Sequence, residues 1–395
     1  MKKLIMLLVS CFFLVSVSCD NNDDTNGFSG ETKTYELISV SDPTINGEAI
    51  FEQNEDGSAT VTLNLDGVTS GMHPAHIHMN SAAEGGAIVI DLTPVDDTGV
   101  SVTLINTLNS GEAIGYDELL DFDGYINVHE SPENLATLIA QGDIGANELT
   151  GDEKVYALSP KSNPDIMGTA TFSARKNGTT LVTIALDGTS EGDAFPAHIH
   201  QNSAAEGGAI IIDLDTIRGP SGRSLSQIDA LNTGEAITYD ELLNFDGYIN
   251  AHLSKDNLAV LVAQGDIGEN ELTGENTVYN LDSRSDPNIL GTATFAQRMN
   301  GSTLITIALE GTFDGDAFPA HIHRNSADEG GPIIVDLDTI RGPSGMSLSQ
   351  IDTLNDGEPI DYEGLLSFDG YINAHLSKDN LSILVAQGNI GENAD

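Results

Sequence analysis

A His-x-His pair followed about fifty residues later by a third histidine occurs three times in this chain, always at the same period. The copies are His76, His78 and His129, then His198, His200 and His252, then His321, His323 and His375. Equivalent positions lie 122 or 123 residues apart. A repeat of that length has the size of an independent domain and is too long for a solenoid unit. The chain is therefore expected to fold as one domain made three times over. Only His73 stands outside the scheme, and because it precedes Pro74 in one copy alone it is expected at the surface.

Aligning the copies on Tyr35, Tyr156 and Tyr279 places the domains at 34–154, 155–277 and 278–395. Within the second copy, Gly168 to Phe172 and Thr180 to Leu186 alternate or are β-branched, with Asn177-Gly178 between them. Asn-Gly between such runs is a strong hairpin signal. Further short runs follow: Ala197 to His200, Ala209 to Leu214 and Gly247 to His252, separated by Gly, Asp and Asn. The expected class is all-β, with each copy an antiparallel sandwich. Short helical turns are expected at Leu225 to Leu231 and Asp240 to Leu243. Ser131-Pro132-Glu133-Asn134 reads as a capped turn before the last strand.

The start of the chain bears on its compartment. Lys2 and Lys3 precede an apolar run from Leu4 to Val17, too short to span a bilayer but suited to a secretory signal. Small residues then lead to Cys19 and an acidic, polar string. This resembles a bacterial lipoprotein signal, which implies a leader at 1–18, a lipidated Cys19, an acidic linker at 19–33 and a membrane-anchored, exported protein. The other cysteine, Cys11, lies inside the leader, so no disulfide is expected. The formal net charge is −46, from 61 acidic and 15 basic side chains. Phosphate recognition needs concentrated Lys and Arg, so nucleic acid is excluded as a partner. Trp is absent and aromatics are 5% of residues, which disfavours sugar binding on stacked rings.

In a strand, residues two apart share a face. His198 and His200 therefore project together while Ile199 enters the core, and His252 approaches them from the end of another strand. Three imidazoles suit copper or zinc and leave a coordination position open. All nine repeated histidines are candidate ligands. The alternative is that they pin loops through hydrogen bonds. Glu84, Glu206 and Glu329, in the Glu-Gly-Gly turns, could add an oxygen ligand, although turn chemistry accounts for them as well. Arg218 to Gly222 recurs as Arg341 to Gly345 but is missing from the first copy, and it reads as a loop.

Pro196-Ala-His-Ile-His200, then Glu206-Gly-Gly-Ala-Ile-Ile-Ile-Asp-Leu214, then Gly247-Tyr-Ile-Asn-Ala-His252 resemble the CHRD domain of chordin and of many exported bacterial proteins, and the resemblance extends over all three copies. It implies an immunoglobulin-like β-sandwich related to copper–zinc superoxide dismutase. In that enzyme copper sits on a His-x-His pair, a bridging His and a later His. His76, His78 and His129 match the pair and the later residue. No bridging His, further zinc-ligand His, disulfide or guiding Arg is found, and a strongly negative chain repels superoxide. Asp91, Asp213 and Asp336 are similar in place to the zinc-ligand Asp but read as strand ends. The expectation is thus a binding or interaction protein with one copper ion per domain, zinc or calcium being alternatives, and an unidentified extracellular or periplasmic partner. The rivals are a copper-dependent redox enzyme and a calcium-stabilised adhesive spacer with structural histidines.

Overall fold

The computed structural model describes residues 29–68 and 70–394, so the leader and Cys19 lie outside the described residues. Three eight-stranded antiparallel sheets follow one another along the chain. Unit 1 begins with β1 (Thr32–Ser39), β2 (Asn46–Gln53), β3 (Ala59–Asp66) and β4 (His73–Met79). It continues with β5 (Ile88–Val95), β6 (Val100–Ile105), helix α1 (Tyr116–Leu120), β7 (Asp123–Ser131) and β8 (Asn134–Gly145). Unit 2 opens with β9 (Leu149–Pro160), β10 (Gly168–Arg175), β11 (Thr180–Leu186) and β12 (Ala194–Gln201). Next come β13 (Ile210–Arg218), β14 (Arg223–Ile228), α2 (Tyr239–Leu243), β15 (Asp246–Ser254) and β16 (Asn257–Gly268). Unit 3 repeats the order with β17 (Leu272–Ser283), β18 (Gly291–Arg298), β19 (Thr303–Leu309) and β20 (Ala317–Arg324). It ends with β21 (Ile333–Arg341), β22 (Met346–Ile351), α3 (Tyr362–Leu366), β23 (Asp369–His375) and β24 (Leu384–Gly391).

The strands form because one face of each carries apolar side chains to a common interior. In β11, Val182, Ile184 and Leu186 are buried on alternate positions, each contributing roughly 1.5–3 kcal/mol of burial. Ile199, between the paired histidines, is fully buried as expected. Each unit has its own core. In each, a Tyr on the opening strand meets a Phe on the next strand edge-on, as Tyr156 and Phe172 do at 5.2 Å.

Hydrogen bonding runs completely round units 2 and 3, which close as barrels where sandwiches were expected. The Arg218-to-Gly222 stretch is the turn that joins β13 to β14, where Arg218 pairs with Arg223. Unit 1 has Pro94 in that part of β5, with no N–H to offer a ladder. Its outer strands β5 and β6 are not paired, although Ser101 Oγ donates to the Thr93 carbonyl at 2.6 Å.

Two local expectations are corrected. Leu225 lies in strand β14, not in a helix: Ser224 and Ser226 face inward and Leu225 faces out, so the apolar alternation is inverted. Ser131 to Asn134 is a tight β7–β8 hairpin without a helical turn, Ser131 pairing directly with Asn134. The turn expected at Asp240 to Leu243 is the helix α2, capped by Thr238 and Glu241.

Consecutive units abut through a repeated joint. The β10–β11 turn of unit 2 hydrogen-bonds to the β8–β9 link of unit 1, Lys176 N to Glu148 O and Asn177 N to Ala146 O, both at 2.9 Å. Met299 N and Asn300 N repeat these bonds to Glu271 O and Glu269 O of unit 2. A fully buried arginine anchors each joint: Arg175 contacts Asp143 and Arg298 contacts Asp266, both at 2.8 Å. Each guanidinium also donates to the unit ahead of it, at Asn147 O and Asn270 O.

Candidate metal centre

All three expected histidine triplets converge. His76, His78 and His129 each bring a ring nitrogen within 4.8 Å of the other two, as do His198, His200, His252 and His321, His323, His375. The strands explain this. β4 lies beside β7 with His76 opposite Asn127 and His78 opposite Tyr125, so the pair and the Asn share the outer face. His129 lies two residues beyond Asn127 and so shares that face, and the β7–β8 pairing shifts register at it. The same shift occurs at His252 and His375.

Backbone carbonyls set the tautomers. Nδ1 of His78 faces the Gly86 carbonyl at 3.0 Å, and Nδ1 of His129 faces the Leu135 carbonyl at 2.6 Å. A carbonyl only accepts, so both Nδ1 atoms carry the proton and both Nε2 lone pairs are free to coordinate. Gly208 and Leu258 do the same for His200 and His252, and Gly331 and Leu381 for His323 and His375. His76 turns its Nδ1 inward, 3.1 Å from Nε2 of His129. Its own Nε2 faces Oδ1 of Asp91 at 3.8 Å, with Asp213 and Asp336 at 3.7 Å in the other units.

Five of the inward atoms are left without partners. Nε2 of His78, His252 and His375 and Nδ1 of His198 and His321 are buried with no hydrogen bond, a costly state for a polar atom. Burial lowers the pKa of His76, His129, His198, His252, His321 and His375, the nearby acidic residue opposing it at His76, His198 and His321. Neutral imidazole is the ligating form. Lone pairs on buried nitrogens, converging on one point, fit a transition-metal ion. Asp91, Asp213 and Asp336 lie inside strands β5, β13 and β21, correcting the expectation of strand ends, and their exposed carboxylates stay beyond hydrogen-bond reach of the imidazoles.

The Glu-Gly-Gly glutamates take no part in the centre. Oε2 of Glu84 accepts from Ser81 N and Oγ, and Glu206 and Glu329 bond Ser203 and Ser326 likewise. His73 is corrected from surface to core. It is 3% exposed, opens β4, and takes the place that Phe195 and Phe318 hold in the other units, with Nδ1 on the Glu130 carbonyl at 2.8 Å.

Three supporting groups escaped sequence reasoning. Tyr125 stacks on His78 with centroids 4.8 Å apart, and its hydroxyl accepts from Gly86 N. Asn127, Asn250 and Asn373 are buried beside the pair, their Oδ1 atoms held by Gln141, Gln264 and Gln387. Nδ2 of Asn250 and Asn373 faces Nε2 of His200 and His323 at 3.5 and 3.4 Å. Their recurrence at the histidine period was a usable signal. The third group is the loop between the two strands beside each pair, tied at both ends as described below.

Residues 146–259 match the CHRD domain. That span holds the unit 2 histidines and begins within four residues of β9. No curated protein and no solved structure matches the chain.

Proposed function

We propose that this chain is an exported, membrane-anchored lipoprotein presenting three tandem CHRD domains at 34–154, 155–277 and 278–395. On this reading each domain is a superoxide dismutase-like β fold that holds one copper-type ion, and the protein acts by binding rather than by turnover. Cys19 is the lipid anchor, and the partner lies outside the cytoplasm. The observation that carries the metal reading is the meeting of three ring nitrogens in every unit, at least one of them buried with no hydrogen bond. These are Nε2 of His78 in unit 1, Nδ1 of His198 and Nε2 of His252 in unit 2, and Nδ1 of His321 and Nε2 of His375 in unit 3. His76 would offer Nδ1, and His78 and His129 would offer Nε2. Copper, when bound, supplies a Lewis-acidic centre with an open position. The chain's own contribution is to fix the tautomers of two rings per unit through backbone carbonyls. Burial also favours the neutral form of the other ring of the pair, against the opposing Asp, and of the later His in each unit.

The test is metal content and copper titration of residues 20–395, beside the variant His198→Ala, His200→Ala, His252→Ala. Three ions in the parent and two in the variant are expected. Equal uptake by both proteins, or no tight uptake by the parent, overturns the reading and favours structural histidines.

A further inference from the structure

The loop beside each histidine pair is fastened at two points. In unit 2 it runs from Asn202 to Ala209. Its Gly208 carbonyl accepts from Nδ1 of His200, and its Ala204 N–H donates to Oδ1 of Asp266 at 2.7 Å. The other oxygen of Asp266 accepts from Nη1 of Arg298, which belongs to unit 3. Unit 1 repeats the chain of contacts: His78 to Gly86, Ala82 N to Oδ1 of Asp143 at 2.7 Å, and Oδ2 of Asp143 beside Arg175 of unit 2. Each carboxylate therefore holds the loop of its own unit with one oxygen and the following unit with the other.

Unit 3 separates these two roles. Asn389 stands where the earlier units have Asp143 and Asp266, and its Oδ1 still accepts from Ala327 N at 2.8 Å. The acceptor for the loop is kept and the charge is dropped. Correspondingly, unit 1 has Asn54 at the place of Arg175 and Arg298. A buried carboxylate is tolerated where a cation faces it and is costly where none does.

We infer that Arg175 and Arg298 are positioning residues for the histidine site of the unit before their own. By fixing Asp143 and Asp266 they fix the loop whose carbonyl orients His78 or His200, while the site of unit 3 is set within its own unit. This rests on the metal reading only for its consequence: sites 1 and 2 are conditioned across a joint, and site 3 is not. The physical link is a short run of hydrogen bonds through one loop, which transmits a displacement without a wider rearrangement.

The experiment uses the chain with histidine rings labelled with nitrogen-15, first without metal and then titrated with zinc(II) as a diamagnetic probe. Arg175→Asn is expected to move the ring N–H signal of His78 and the amide of Ala82, and to weaken zinc at site 1 by about 2- to 30-fold. His200 and His323 stay unmoved. Arg298→Asn does the same to His200 and spares the other two. Damage to the hairpin that carries Arg175 would instead disturb site 2, the site of its own unit. Arg175→Lys, which keeps a cation at the joint, should give a smaller shift at His78. The pair Asp143→Asn, Arg175→Asn reproduces the acceptor of unit 3 and should return the His78 signal to its parent position. Changes confined to the variant's own unit, or none in any ring signal, overturn the inference. Failure of the parent to take up zinc would count against the metal reading, and the metal-free ring signals would still decide the positioning role.

Discussion

Asp266→Asn puts at the second joint the residue that unit 3 already carries at Asn389. Oδ1 survives for Ala204, so the change removes a charge and little else. The Arg298 side chain has no solvent exposure and that of Asp266 has 17%. At 2.8 Å the gross attraction is about 6 kcal/mol for an effective dielectric of 20, and desolvation offsets most of it. Removing one partner leaves the other buried and unpaired, which costs roughly 3–5 kcal/mol. Arg298 keeps the Asn270 carbonyl, so the low end, about 3 kcal/mol, is expected. Urea unfolding followed by circular dichroism and calorimetry measures it. Arg298→Asn, the residue of unit 1, placed in the same chain should recover about 2 kcal/mol through the coupling between the two positions. A loss below about 1 kcal/mol for Asp266→Asn, or a double variant no more stable than the single, would refute the view that charge pairing is what the joint requires.

Two further outcomes follow from the site. Because burial depresses six of the ring pKa values, the unfolded chain binds protons first. The corresponding stability is present above the ordinary histidine value of about 6.5 and is lost as pH falls through the depressed values. Melting of the metal-free chain between about pH 7 and pH 5 should therefore show a falling midpoint, and a shallower fall when His198 and His252 are replaced by Ala. A flat profile would contradict the burial argument. In Gly208→Ala, the new Cβ would lie 1.8 Å from the Gln201 carbonyl oxygen, so the loop must shift and take its own carbonyl away from His200. Loss of an orienting contact of this kind costs roughly 10- to 100-fold in metal affinity. Unchanged copper affinity at site 2 would show that the carbonyl is dispensable.

The histidine site was legible because strand alternation and a fixed period are properties of the chain itself. His198 and His200 had to share a face once Ile199 was buried, and the strand geometry delivers that. Ser224 and Ser226 defeated the same logic. They are buried on the face that Ile228 shares, and Ser226 Oγ accepts from Asp215 N at 2.7 Å, so two of the three buried positions of β14 are polar. His73 was misplaced because nothing local reveals that it occupies a phenylalanine's position in the core. The joint was invisible for a related reason. Arg175 sits in Ala174-Arg-Lys-Asn-Gly178, which reads as an ordinary solvent-exposed hairpin turn, and its burial depends on a neighbouring unit about thirty residues back. The link that unit 1 lacks rests on a single pair in each barrel, Arg218 with Arg223 and Arg341 with Met346, which alternation cannot specify.

The joints also give each unit a place in the row. Unit 1 has the carboxylate but no arginine, unit 3 has the arginine but no carboxylate, and unit 2 alone has both. An array lengthened by duplicating the middle unit keeps every buried charge matched. Exchanging the outer units would instead set Asn389 against Arg175 at one joint and Asp266 against Asn54 at the other, and leave Arg298 and Asp143 without their partners at the two ends. Duplication of the middle unit thus keeps the joints matched where duplication of either outer unit would not, by the pairing of two residues.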